Sequence, residues 1–209
     1  MEINSNKTLA FSAPFIKVEL ISNAVDFVID RRAILINVSR QDIAENGILL
    51  KRWGSAILSG VTIARADALV RINIKNTAEV GQSYPFAKEI ESKWPHVYEI
   101  FKLPHLKDTC LWRSEKECIG NVEYNLWFAR AGTDCGIHNE HNFREMHTQV
   151  FGYGRMQKFH QASASSLYQD IYMCPGYTHE PFCDENNVYP WHRYYADTDC
   201  IWLAIEIYR

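Results

Sequence analysis

Gly132-Thr133-Asp134-Cys135-Gly136-Ile137-His138-Asn139-Glu140-His141-Asn142-Phe143-Arg144-Glu145-Met146-His147-Thr148-Gln149-Val150-Phe151-Gly152 is the stretch whose reading decides the fold. Three histidines and two glutamates fall between positions 138 and 147. A neutral imidazole offers a lone pair near physiological pH, which makes histidine the commonest metal ligand. If residues 137–140 end a strand, His138 and Glu140 face one side. If 145–151 form the next strand, Glu145, His147 and Gln149 share a face as well. An antiparallel pair joined by a loop over 141–144 would set these two groups opposite each other, with four donors converging. Nitrogen and oxygen donors without a thiolate suit Fe(II), Mn(II), Ni(II) or Zn(II).

Outward from this stretch the chain reads as short strands. Residues 15–21, 27–30, 33–38 and 47–51 are strand-like, and 69–74 alternates apolar with polar residues, the period of a half-buried strand. Asn46-Gly47 marks a turn. A helix is expected over 85–93, with Phe86 and Ile90 four apart and Pro95 as a breaker. Residues 94–118 read as a long connection or helical insertion. Strands resume at 122–129, at 150–159 (broken by Gly152 and Gly154), and at 167–173, which stops at Pro175-Gly176. The segment 200–208 is too apolar for an exposed edge. Regular strand spacing with glycine and proline turns predicts an all-β sandwich or barrel with a short helical insertion.

Composition narrows the function classes. With 209 residues, 47% hydrophobic and 22% charged, the chain can bury a core. A net charge of -3 gives no basic footprint for nucleic acid or an anionic membrane. No apolar run approaches the ~20 residues that span a bilayer. Residues 1–8 are polar, so no secretory leader is expected. The six cysteines, at 110, 118, 135, 174, 183 and 200, form no C-x-x-C pair. Mostly reduced, buried or half-buried thiols in a cytoplasmic protein are the expectation.

The spacing around His138 resembles the cupin superfamily. Its first motif runs glycine, five residues, His-x-His, three or four residues, glutamate, six residues, glycine. Here Gly132 precedes His138 by five intervening residues, Glu145 follows Glu140 by four, and Gly152 follows Glu145 by six. Glu140 stands in the slot of the second histidine. The second motif runs Pro-x-Gly, two residues, histidine, three residues, asparagine. Gly176 and His179 fit it, whereas Cys174 and Cys183 replace the proline and the asparagine. The resemblance covers about residues 120–209. It implies a cupin-type double-stranded β-helix or jelly-roll barrel with His138, Glu145 and His179 as metal ligands. The remaining place lies open between Glu140 and His141, which would reach in through a local bulge. The chain then divides into 1–110, a strand-rich part supplying extra strands or a degenerate metal-free cupin half, and 111–209, the metal-binding core.

The other candidates follow from their neighbours. His147 shares a face with Glu145 and is an extra ligand, a partner of a ligand, or a catalytic base. An unbound Glu140 is the other candidate for moving a proton. His192, within Tyr189-Pro190-Trp191-His192-Arg193-Tyr194, reads as part of a packed aromatic turn. Gln149, Arg155, Gln157, Tyr194 and Glu206 are pocket linings by alternation. The expected function is metal-assisted chemistry on a small organic metabolite, as an oxygenase or as an isomerase or lyase. The alternatives are a metal-dependent binding module without turnover and a metal-free sugar epimerase-like protein. The apolar C-terminal strand and surplus aromatics suit a homodimer.

Overall fold

Alternation of apolar residues builds strands longer in places than the sequence suggests. The computed structural model describes residues 2–12, 16–45, 47–74, 87–186 and 188–208. Phe15, Asn46, Pro85 and Phe86, which figure in the sequence expectations, lie outside them. The chain forms two compact units, Met1–Thr77 with Gly176–Glu180, and Ala78–Pro175 with Pro181–Arg209.

The first unit holds β1 (Ser5–Thr8), β2 (Ile16–Ile29), β3 (Ala33–Asn37), β4 (Ile43–Glu45), β5 (Ile48–Leu50), β6 (Ser55–Leu58) and β7 (Val61–Ile74). Its main sheet runs β1-β2-β7-β3-β6, and β4 pairs with β5. The two segments expected at 15–21 and 27–30 are one strand of 14 residues, paired antiparallel along its length with β7. Ile21, Leu35, Ile63 and Leu69 are among the buried residues of its core. The segment Gly176–Glu180 lies on β6, where Ser55 Oγ donates to Gly176 O at 2.8 Å.

Glu19 is the unit's buried charge, 1% exposed. Arg71 donates to Glu19 Oε2 through Nε at 3.0 Å and Nη2 at 2.8 Å, and Lys17 Nζ lies 2.6 Å from Oε1. Asn6 and Asn73 donate at 2.8 and 3.1 Å. Burial raises the carboxyl's pKa, but Lys17, Asn6 and Arg71 outweigh it and leave the pKa below the usual 4.5. A depressed folded pKa gives stability that is present above the unfolded value and lost as pH falls. Glu19→Gln is therefore expected to lower the urea midpoint at pH 7, with a smaller difference at pH 3.

The described part of the second unit opens with α1 (Ala87–Lys93) and α2 (Val97–Phe101). The expected helix over 85–93 is thus present in its described part and stops before Pro95. The strands are β8 (Leu111–Arg113), β9 (Glu117–Ile119), β10 (Val122–Ala129), β11 (Arg144–Phe151), β12 (Gly154–Phe159), β13 (Leu167–Met173), β14 (Trp191–Ala196) and β15 (Cys200–Ile207). One sheet runs β11-β15-β10-β8, with β9 also on β10; the other runs β13-β12-β14. Residues 133–138 extend the second sheet beyond β14, through the bridges Asp134↔Tyr195 and His138↔His192. The chain thus passes from β10 to 133–138, back to β11, then to β12 and β13, and from β14 to β15. That crossing between two antiparallel sheets is a jelly roll. Among the described residues the fold is all-β apart from short helices.

Cross-strand register aligns the inward face. Glu145, Glu206 and Glu123 form one row; His147, Ala204 and Asn125 the next; Gln149, Trp202, Trp127 and Arg113 the third. From the other sheet, Tyr194 stacks on Trp202 with centroids 4.1 Å apart. Buried Glu206 receives Lys116 Nζ at 2.5 Å and Asn125 Nδ2 at 3.0 Å.

Three sequence expectations need correction. Residues 137–140 do not pair with the strand after them, because β11 pairs with β15 while His138 exchanges both backbone hydrogen bonds with His192. Residues 191–196 are a strand, not an aromatic turn. Arg155 and Gln157 do not line the pocket. Their register partners are Tyr195 and Arg193, Arg155 pairs with Asp170 and Asp197, and the alternate residues Met156 and Lys158 share the face of Tyr194 and His192. Most of the cysteines are buried or half-buried, in line with expectation, and Cys110 and Cys118 are exposed. β15 has both its in-sheet neighbours, β10 and β11, within the chain.

Candidate metal centre

Three imidazoles meet in the second unit. His138 comes from the strand-like run 133–138, His141 from the turn before β11, and His192 from β14. Each offers a nitrogen such that all three lie within 4.8 Å of one another. Ring centroids are 4.5 Å apart for His138–His192, and 5.0 Å for both His138–His141 and His141–His192.

Backbone carbonyls orient two of the rings. His138 Nδ1 lies 3.0 Å from Gly136 O, and His192 Nδ1 lies 2.9 Å from Pro190 O. A carbonyl accepts only from N–H, so the proton sits on Nδ1 and Nε2 keeps its lone pair. Gly136 has φ 84°, a conformation glycine adopts without strain. Burial pushes the His192 pKa down to about 3, helped by neighbouring His138, and burial likewise lowers that of His141. Both rings are thus neutral at physiological pH, as a metal ligand must be. His141 Nε2 stands 3.1 Å from His192 Nε2. Two nitrogens on one ion at about 2.0–2.1 Å are separated by about 3 Å. The donor set therefore fits a divalent metal, with no rearrangement needed to bring these two nitrogens to ligand spacing.

Glu145 and His147 border the triad from β11. His147 Nε2 lies 3.1 Å from Glu145 Oε1, and His141 Nε2 lies 3.9 Å from Oε2. Burial raises the Glu145 pKa, but His147, His141 and His192 together hold it well below the usual carboxylate range. Tyr189 OH ties down the turn, accepting from Glu145 N at 2.7 Å and donating to Phe143 O at 3.0 Å. Its ring lies 4.6 Å from that of His141.

Of the two residues competing for one place, the structure brings His141 to the triad and leaves Glu140 exposed. Glu140 and His141, with Asn139, Asn142, Val188 and Tyr189, line an open concavity of about 520 Å³. His179 is buried, with Nδ1 2.7 Å from Glu180 O, and belongs to the first unit. Its place among the ligands rests on the motif resemblance. His192 was not singled out as a ligand from sequence. The available signal was the aromatic, strand-forming run 191–195 after Pro190, in which His192 and Tyr194 share a parity.

No family model matches the chain, and neither does any curated protein. Similar solved structures include a cupin superfamily protein from Desulfitobacterium hafniense (10% identity, 65% of this chain and 100% of that one, TM-score 0.38). An RmlC-like cupin protein from Desulfovibrio desulfuricans gives 12%, 64%, 96% and 0.35, and an ectoine synthase from P. lautus 12%, 48%, 66% and 0.37. Likeness at this level says nothing of what the chain binds. The second unit is thus a jelly roll carrying an imidazole triad, and the solved structures similar to the chain include proteins described as cupins.

Proposed function

We propose that the second unit binds one divalent metal ion through His138, His141 and His192 and uses it on a small organic metabolite. The observation that carries this reading is the convergence of three imidazole nitrogens, two of the rings with their other nitrogen on a carbonyl. Such an ion supplies a Lewis acid with coordination positions left for a ligand. The chain's own part is to place donors and protons. Glu145, ionised and against both His141 and His147, orients these two rings and adds the negative charge that favours a cation. His147 is the group placed to take or give a proton, through the Nε2 that meets Glu145. The rim of Asn139, Glu140 and Asn142 is open, and it leaves the ligand a way to His141. Iron, manganese, nickel and zinc all suit this donor set.

Metal analysis of protein purified without added metal, run with an oxygen-uptake assay, tests the proposal. One equivalent of iron with oxygen uptake supports an oxygenase. One equivalent of manganese, nickel or zinc without uptake supports an isomerase or lyase. No metal, even after reconstitution, overturns it.

A further inference from the structure

The open concavity beside the triad carries polar groups that the chain leaves unused. Its lining is Asn139, Glu140, His141, Asn142, Val188 and Tyr189, and its volume of about 520 Å³ lies within the range of small-molecule sites. His141 joins it to the metal centre, since the same ring belongs to the triad. Glu140 and Asn142 are exposed at the mouth, and Asn139 is half-buried. Among the described residues, the side chains of Asn139, Glu140 and Asn142 make no hydrogen bond or ion pair. Tyr189 has no hydroxyl to spare, because it accepts from Glu145 N and donates to Phe143 O. One carboxylate and two primary amides are thus left for a ligand.

The charges nearby set the sign of that ligand. The two segments that supply the lining, 131–143 and 181–192, contain no lysine or arginine, and they hold Asp134, Glu140, Asp184 and Glu185. Asp134 is paired with Arg193, and Asp184 Oδ1 accepts from Asn186 N and Val188 N at 2.8 and 2.9 Å. Two further cations stand close in sequence or register. Arg144 falls by alternation on the face of β11 opposite Glu145. Lys158, the register partner of His192, has its ammonium over Phe182, 4.2 Å from the ring centroid. Neither lines the concavity. A carboxylate without a counter-charge at the mouth of a site favours a cation over an anion.

We infer that the concavity selects a small amine: Glu140 pairs with a primary ammonium group, the Asn139 and Asn142 amides hydrogen-bond the polar groups beside it, and an oxygen at the ligand's other end is directed to the metal. Val188 and the ring of Tyr189 offer apolar surface to the carbon chain between. The substrate class of the proposed function is therefore a small amine that also carries an oxygen donor. The inference rests on the proposed function only for that metal-bound oxygen. The preference for an ammonium group belongs to the chain alone.

Metal-free protein titrated with aminobutanol, against butanediol as its uncharged isostere, tests the preference by nuclear magnetic resonance. The amine is expected to bind saturably and to shift the side-chain amide signals of Asn139 and Asn142. The diol is expected to bind about fivefold more weakly, the worth of one exposed ion pair. Glu140→Gln should bring the two ligands within about twofold of each other. Val188→Lys, which sets a cation at the same mouth, should do likewise. Both positions are exposed, so neither change strains the fold. No saturation by about 50 mM amine, equal binding of amine and diol by the parent protein, a preference that survives Glu140→Gln, or shifts confined to other asparagines would overturn the inference. Metal uptake is measured on separate samples, so failure of either idea is visible without the other.

Discussion

His192→Ala is expected to lower divalent-metal affinity by at least about 100-fold, more than loss of a residue that merely supports a ligand. The side chain supplies one of three nitrogens, and two ligands on a small ion leave the rest to water. His192 also faces both other rings, with His141 Nε2 3.1 Å from its own Nε2. Alanine keeps the backbone bonds between 138 and 192, so the strand pair survives. Isothermal titration with zinc or manganese checks this beside Glu140→Gln. The latter should bind within about twofold of the parent, because exposed rim charges act weakly. Equal loss in both variants would contradict the assignment of Glu140 to the rim.

Gly152→Ala should cost at least about 4 kcal/mol, at the exceptional end for single substitutions. Gly152 has φ 68°, and an added Cβ would sit 2.0 Å from Asp199 O and 2.8 Å from Thr198 Oγ1. The first is a backbone atom that cannot rotate away. The left-handed conformation alone costs roughly 1–2 kcal/mol for a residue with a Cβ. The turn is also locked to its neighbour: Tyr153 N donates to Thr198 Oγ1 at 2.9 Å, and Asp197 N donates to Tyr153 O at 3.0 Å. A shift therefore disturbs the ends of β11, β12, β14 and β15 together. Loss of the cooperative thermal transition, or a midpoint many degrees lower, is the expected readout.

The same glycine shows how much was legible in the sequence. It was read as a break in the run 150–159, and the chain does turn there, between β11 and β12. Partial alternation marked β10, glycine and proline marked the ends of β12 and β13, and β15 stood out as an apolar run, which the fold buries almost throughout. Alternation is local, however, and pairing is not. Residues 137–140 and 145–151 are close in sequence, yet they belong to different sheets. The site's key contact joins His141 to a residue 51 positions away. Sequence reading put His138 and His141 among the candidates through their company. It passed over His192, whose company is aromatic and whose burial comes from β12 and 133–138 on either side. Trp202, among the C-terminal aromatics read as packing residues, does stack, on Trp127 with planes 6° apart. Only three-dimensional burial reveals that the N–H groups of both lack acceptors among the described residues.

X-ray absorption at the edge of the bound metal tests the centre most directly. About three imidazole nitrogens at about 2.0–2.2 Å, falling to two in His192→Ala, is the predicted result. A metal shell of oxygens alone, or one indifferent to the loss of His192, would contradict it.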